Sequence, residues 1–301
     1  MVGGESMTNT STAKLKRIRL SDIAIMIIVG IAMLMCLVPF LHIIAVSLSS
    51  KQAIISDQVT IFPVGWDWES YKIVFQDARM LRSMGITIVL TAVYTVVCMI
   101  MSICAAYPLT KRQLKGRSFF MMIIVFTMFF SGGLIPDYLL IKELGMLDSM
   151  LSLILPGMIS AFNLIILRSF FTSIPESLEE SAYLDGSSHI GTLIRIVLPL
   201  SLPVLATLSL FYAVSRWNGF MDALFYISNS EMYPIQLKLY QVVMNSMVTD
   251  LTAQEGAIAT EVMPEGLKAA SIMFATVPIL VVYPWLQRYF VSGVMVGAVK
   301  G

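Results

Sequence analysis

Charge is what this chain has least of. Only 13% of its 301 residues are Asp, Glu, Lys or Arg, against roughly 25% in ordinary soluble domains. With 57% hydrophobic residues and a mean hydropathy of +0.81, the chain does not have water as its main solvent. The formal net charge is +1, so no basic excess exists to grip a nucleic acid. Cysteine is scarce as well. Cys36, Cys98 and Cys104 each sit in an apolar run and offer neither a disulfide framework nor metal-ligand spacing. The only histidines, His42 and His189, have no metal-ligating company. No Ser–His–Asp set, paired intramembrane aspartates or His-Glu-x-x-His helix can be argued, so hydrolysis has no candidate machinery. A Gly-x-x-x-x-Gly-Lys-Ser/Thr phosphate loop is also missing, so the chain is expected to bind no ATP, metal or other cofactor itself and not to be an enzyme. No cleavable signal peptide is read, because the basic start Lys14, Lys16, Arg17 and Arg19 precedes an apolar run too long for a signal sequence.

What is present is a series of long apolar runs. A helix needs about 20 apolar residues to cross a bilayer core of roughly 30 Å. Six charge-free segments approach that length: 23–46, 84–110, 118–136, 149–167, 196–215 and 269–287. The 22 Met and 16 Phe mostly fill these segments. The fifth is expected to continue to about Tyr226, because Trp217 to Tyr226 stays mostly apolar. Pro39, Pro156, Pro203, Pro278 and Pro284 fall inside spans and are expected to kink them. The expected fold is all-α and integral to the membrane, with six transmembrane helices. Residues 1–22 read as a cytoplasmic tail, disordered over 1–12, and 23–301 as one six-helix domain.

Lys and Arg in short loops set the orientation. The tail carries Lys14, Lys16, Arg17 and Arg19, and the second connection carries Lys111, Arg112, Lys115 and Arg117. Arg168 and Arg195 flank the fourth connection, and Arg288 and Lys300 lie near the end. The third connection has only Lys142. The fifth, about 228–267, sets Lys238 and Lys268 against Glu231, Asp250, Glu255, Glu261 and Glu265. The first is ambiguous, with Lys51, Lys72, Arg79 and Arg82. Both termini and the fourth connection are therefore expected in the cytoplasm. The acidic fifth connection is expected outside, as a mobile loop through Thr252-Ala253-Gln254-Glu255-Gly256.

The fourth connection, about 175–199, is the polar segment with the clearest design. Pro175 suits a first helical turn. Glu176, Glu179 and Glu180 would sit near the positive end of that helix. Ala182, Tyr183 and Leu184 are expected to give it an apolar face. Gly186 reads as a stop that permits positive φ. Asp185, Ser187 and Ser188 can cap a second short helix running to about Leu198, and Pro199 would begin the fifth span. Two short helices at a sharp bend along the membrane surface could move as a rigid body. The plainer reading is an ordinary interfacial loop.

Glu180-Ser181-Ala182, then two residues, then Asp185-Gly186-Ser187, then Leu198-Pro199 resembles the E-A-A, D-G-A, L-P coupling loop of bacterial ABC importer permeases. Ser181 and Ser187 replace alanines, and Leu193 stands where Phe is common. The resemblance extends along the chain through Phe62-Pro63-Val64-Gly65-Trp66 and Tyr71, Ala105-Ala106-Tyr107-Pro108-Leu109, Ser131-Gly132-Gly133-Leu134-Ile135-Pro136, Trp217-Asn218 and the ending Gly293 to Gly301. The closest likeness is to lipo- and oligosaccharide permeases of the maltose-permease class, alginate and plant uronate oligosaccharide permeases among them. The resemblance implies a bacterial inner-membrane subunit paired with a second homologous permease. It implies two ATP-binding subunits that hold ATP and magnesium, and an extracytoplasmic sugar-binding protein that delivers an oligosaccharide. Glu180, Ser181, Ala182, Asp185 and Gly186 would dock the ATPase. By location alone, the fifth connection would reach the binding protein.

Polar residues inside a span are costly and default to function. Tyr212, Trp217 and Asn218 offer the hydrogen bonds and aromatic faces that sugars need, and Ser215, Arg216 and Asp222 adjoin them. Arg216 would meet an acidic sugar's carboxylate as a bidentate pair; the alternatives are an acid on the sister subunit, or snorkelling. Arg216 and Asp222 are not spaced as helical neighbours. Asn163 and Tyr94 read as helix–helix hydrogen-bonding residues. An ion-coupled secondary transporter is the rival function, but it calls for midplane acids or an inverted repeat, and neither is read here. A membrane scaffold or sensor would not need the docking loop.

Overall fold

A computed structural model describes residues 20–254 and 265–298. The basic tail Lys14 to Arg19, the residues Glu255, Gly256 and Glu261, and the final Lys300 and Gly301 lie outside the described residues, as do the side chains of Asp250 and Arg288. Among the described residues the fold is helical, and its only extended pairing is an isolated bridge between Ser49 and Trp66.

The helices, in order, are α1 (Leu20–Ser47), α2 (Lys51–Ile55), α3 (Glu69–Gln76), α4 (Ala78–Ala106), α5 (Arg117–Phe129), α6 (Leu134–Glu143), α7 (Leu151–Ile154) and α8 (Ala161–Ser173). They continue with α9 (Glu176–Leu184), α10 (His189–Thr192), a π-helical stretch Leu193–Val197, α11 (Leu198–Leu200), α12 (Leu202–Asn218), α13 (Met221–Tyr226), α14 (Ile235–Gln254) and α15 (Glu265–Ala298). Three helical stretches are long and apolar enough to cross a membrane: 21–47, 78–110 and 265–282. The count rises to six if each of three bent pairs forms one span.

Three helix pairs are bent, two of them at the expected prolines Pro156 and Pro203 and one at a glycine pair. Arg117–Phe129 and Leu134–Glu143 meet at 115°, across Ser131-Gly132-Gly133, with Gly133 at φ +87°. Leu151–Gly157 and Ala161–Ser173 meet at 50°, where Pro156 sits in a 3-10 turn. His189–Leu200 and Leu202–Asn218 meet at 83°. At this last bend Pro203 has no N–H to give, and its ring opposes the carbonyl of Pro199. The chain therefore stops at Leu200 and restarts at Leu202. Taken as one span, this bent pair runs from His189 to Asn218, and its longer helix α12 begins after Ser201. The buried Ser201 hydroxyl at the break is itself satisfied, donating to the Val197 carbonyl at 2.6 Å. By contrast, α1 runs on through Pro39, and α15 through Pro278 and Pro284.

Two further expectations are revised. The fifth span does not extend unbroken to Tyr226, because α12 ends at Asn218 and a separate α13 follows. Within the fifth connection, Ile235 to Gln254 form the 20-residue helix α14, so Thr252 to Gln254 are helical, while Glu255 and Gly256 lie outside the described residues.

The core gathers around α4. Leu90, Tyr94 and Cys98 pack with Leu164 and Leu167 of α8 and with Leu208 and Tyr212 of α12. Apolar side chains gain little by leaving lipid for a lipid-like interior, so packing and a few interhelical hydrogen bonds must hold such helices together. Those bonds are present. Ser102 and Tyr212 share one at 2.8 Å, Tyr94 donates to the Gly157 carbonyl at 3.0 Å, and the Ile235 N–H donates to Thr87 Oγ1 at 2.7 Å. Gly157 has to be glycine, since a Cβ there would stand 2.5 Å from the Tyr94 hydroxyl. The outer face of α1, in contrast, is apolar nearly all round and exposed, as a lipid-facing helix would be.

Candidate functional site

The 176–200 segment folds as two helical arms. Pro175 precedes α9 with an extended ψ of 127° and occupies the N-cap position. The turn between the arms rests on Gly186 at φ +81°. The Gly186 N–H bonds the Tyr183 carbonyl at 3.0 Å, and the Ser187 N–H bonds the Ala182 carbonyl at 2.8 Å. Ser188 then caps the second arm, its hydroxyl accepting from the Gly191 N–H at 3.1 Å. Sequence reasoning named the right capping residue type here, because a serine hydroxyl satisfies one of the orphan donors at a helix start.

The three glutamates of α9 do not share a role. Glu176 pairs with Arg112 at 3.4 Å, and both are well exposed. Glu179 pairs with Lys111 in a less exposed setting. Glu180 is exposed and, among the described residues, has no ion pair or side-chain hydrogen bond. It is the one acid of α9 left open to a partner.

Ser181, Asp185 and Gly186 are also exposed. Ala182 is not. At 7% exposure it faces inward and seats the arm on its own chain. The expected apolar face of Ala182, Tyr183 and Leu184 is therefore split, because consecutive helical residues point about 100° apart. Leu184 is 89% exposed, and Ile190 and Ile194 of the second arm stand out with it. These exposed apolar side chains and the exposed Glu180 are the mix of features a protein partner's cleft would bury. Tyr183 lies between these extremes. Its hydroxyl is 2.6 Å from His189 Nδ1, and burial pushes its pKa up to about 12, so it stays protonated across the physiological range.

The second candidate group clusters at the end of α12. Tyr212 is 2% exposed, and its hydroxyl both meets Ser102 and accepts the Ser160 N–H at 3.2 Å. Trp217 is buried, and its indole N–H donates to the Ala275 carbonyl at 3.3 Å, which ties α12 to α15. Asn218 is exposed, with its amide donating to the Val214 carbonyl at 3.0 Å. Arg216 and Asp222 form a bidentate pair at 2.5 and 2.9 Å. Arg216 also donates to the Leu153 and Gly219 carbonyls at 2.9 and 3.3 Å. Its side chain is 5% exposed, while that of Asp222 is 33% exposed.

Helical spacing alone gave no reason to join these two residues. The break at Gly219 and Phe220 does so, by folding α13 back against the end of α12. Gly219 has no room for a side chain, since a Cβ would lie 2.8 Å from an Arg216 nitrogen. Arg216 is therefore anchored within its own chain, by Asp222 and by the Leu153 and Gly219 carbonyls. Tyr94 and Asn163 are both buried, and the Tyr94 hydroxyl bonds across helices as expected.

Sequence reasoning passed over several residues that the structure joins. Lys111 was counted only for topology, and Glu179 only as a helix-end acid. Asp148, at φ +53°, uses one carboxylate oxygen to accept the Ser228 and Asn229 N–H groups at 2.5 and 2.9 Å. That contact pins the α6–α7 connection to the segment before α14. An aspartate beside a serine in a turn is a weak signal, and its distant partners have none.

The profile of the binding-protein-dependent transport system inner membrane component family matches residues 83–296. Protein LplC of Bacillus subtilis strain 168 is 45% identical over 285 residues, covering 94% of this chain and 96% of its own length. The polygalacturonan/rhamnogalacturonan transport system permease protein YtcP of the same organism is 43% identical over 268 residues, covering 89% and 94%. Among solved structures, a chain of a bacterial ABC transporter involved in the import of the acidic polysaccharide alginate superposes with a TM-score of 0.83. That chain is 33% identical and is covered over 100% of its length by 93% of this one. A chain of a bacterial alginate ABC transporter, solved in complex with an alginate pentasaccharide-bound periplasmic protein, shares the fold at a TM-score of 0.60 and 16% identity.

Proposed function

This chain belongs to the binding-protein-dependent transport system inner membrane component family and is the permease subunit of a sugar ABC importer, and from that footing we propose that it passes an acidic oligosaccharide inward as partner subunits hydrolyse ATP. Two similarities support the acidic substrate. One is the likeness in fold, at a TM-score of 0.83 and 33% identity, to a chain of the alginate importer, and the other is the 43% identity to a polygalacturonan/rhamnogalacturonan permease. The proposed assembly has a second permease, two ATPases that hold ATP and magnesium, and a binding protein outside. A sugar permease of this family has no use for an ion gradient, so the secondary-transporter alternative loses its ground.

The observation that carries the coupling role is the bent loop on Gly186, with Glu180, Leu184 and Ile190 exposed at its surface. Glu180, Ser181, Asp185 and Gly186 form the proposed ATPase contact, with Ala182 seating the arm behind them. Glu180→Lys is expected to remove the ATPase from the purified complex, or to leave hydrolysis that the loaded binding protein no longer stimulates. Normal copurification and normal stimulation by an alginate- or galacturonate-type oligosaccharide would sink the docking role. A wild-type complex stimulated equally by a neutral oligosaccharide of the same length would sink the acidic substrate.

The orientation is proposed from the basic loops, with both termini and the docking loop in the cytoplasm. A single cysteine at Ser188 should resist a membrane-impermeant thiol reagent in intact cells, while one at Gly132 should react. Labelling at Ser188 from outside would invert this topology.

In the pathway group, Asn218 and the open side of Asp222 are the polar surfaces that can face a sugar. Tyr212, Arg216 and Trp217 shape the wall behind them, because the Tyr212 hydroxyl, the two terminal nitrogens of Arg216 and the Trp217 indole N–H are already engaged within the chain, while the buried Arg216 Nε has no partner among the described residues.

A further inference from the structure

The docking loop is tied to α8 through Ile174 and Pro175, and it reaches α12 and α4 by two routes that differ in stiffness. The covalent route runs through α10 and α11 to α12, but it turns by 83° at Ser201. A turn of that size can absorb movement by flexing. The other route is a contact between chain-distant residues. Lys111 pairs with Glu179 of α9, and their side chains are only 28% and 17% exposed. Ions in such a setting are screened less than a surface pair. The Lys111 ammonium also lies over the Tyr107 ring, 4.3 Å from its centroid, and Tyr107 packs edge-on against Phe171 of α8.

Lys111 follows directly on the 3-10 turn Pro108–Thr110, which is fixed from its other side. The Arg168 Nε–H donates to the Leu109 carbonyl at 3.0 Å. Beyond that turn lies α4, 29 residues and roughly 44 Å long at about 1.5 Å per residue. It reaches α12 through Ser102 and Tyr212, and the break in the fourth span through Tyr94 and Gly157.

We propose that the Lys111–Glu179 pair is the strut that transmits movement of the docking loop to α4, and through α4 to the wall of the sugar pathway. Both residues act by positioning; neither touches sugar or ATP. Arg112 and Glu176 form an outer, exposed companion pair that adds little, as surface pairs do. The proposal rests on the reading of 176–200 as the ATPase-docking loop. It adds that α9 does two jobs, with Glu180 facing the partner and Glu179 facing its own chain.

The test uses the complete importer reconstituted with its binding protein and an acidic oligosaccharide. Uptake per ATP hydrolysed is measured for Lys111→Met, Glu179→Gln and the reversed pair Lys111→Glu/Glu179→Lys. Each single variant is expected to keep its ATPase and go on hydrolysing ATP, while uptake per ATP falls by about fivefold or more, the lower end of typical coupling free energies. The reversed pair is expected to recover most of that loss, which also shows that the chain has folded. Wild-type uptake per ATP in both single variants would overturn the strut. So would a reversed pair no better than the singles, or loss of the ATPase from the singles, which would make Glu179 part of the docking surface. Glu180→Lys, run in parallel, separates the two readings. If it uncouples transport while the strut variants behave normally, only the strut fails. If Glu180→Lys is normal, the docking role fails first.

Discussion

Replacing Gly186 with valine is expected to abolish uptake while leaving the chain in the membrane. Gly186 holds the turn between the two arms at φ +81°, a region that β-branched residues avoid. Space is not the obstacle, because a Cβ at this position would meet nothing within 4 Å. The cost is in the backbone, about 1–3 kcal/mol for a residue held in a disfavoured region. A penalty of that size lowers the population that keeps the bend by about 5- to 150-fold. Glu180 and Leu184 would then be presented at the wrong angle. Gly186→Asn supplies the control, since asparagine tolerates the left-handed region far better than valine. Uptake that survives in Asn and disappears in Val, at equal membrane content, would identify backbone geometry as the cause. Equal uptake in both variants would show that the bend is dispensable.

The second large effect is expected at Asp222. Truncating it to alanine leaves the Arg216 guanidinium buried at 5% exposure with no counter-charge. Breaking one side of a buried pair costs about 3–5 kcal/mol. Asp222→Ala should therefore lower the yield of folded protein and its thermal midpoint in detergent. Removing both charges, as Arg216→Met with Asp222→Leu, should recover much of that stability, because no uncompensated ion remains. Transport then separates anchoring from substrate contact. If Arg216 only anchors the α12–α13 break, the double variant loses uptake of acidic and neutral oligosaccharides alike. A loss confined to the acidic sugar would place Arg216 in direct contact with the substrate carboxylate.

The extent to which the site was legible in the sequence varied residue by residue. Gly186 and Ser188 could be read because turns and caps are local, set by a few neighbouring dihedrals and hydroxyls. The separate fates of Glu176, Glu179 and Glu180 could not be read. All three suit a helix start, and only the position of Lys111 and Arg112 decides which are consumed. Ala182 looked like part of a presented face until the seating of α9 turned it inward. Arg216 and Asp222 were set aside as partners on helical spacing, and a two-residue break made them one. Helix α14 was not legible within the fifth connection because its polar run through Thr252-Ala253-Gln254 lacks the apolar periodicity that marks a packed helix.

By itself the sequence determined that the chain belongs in a membrane, where its long apolar runs lie, where the polar two-helix connection falls and which glycine turns it. Those properties follow from composition and from interactions within a few residues, which need no partner to be expressed. Only the tertiary structure decided how sharply the three helix pairs bend, that α4 lies at the centre, that Lys111 meets Glu179 and that Arg216 closes on Asp222. In a lipid-like interior nearly every side chain is apolar, so hydrophobicity does not select among neighbours. Shape and a few buried polar pairs make that selection, and they exist only once distant segments have been packed together.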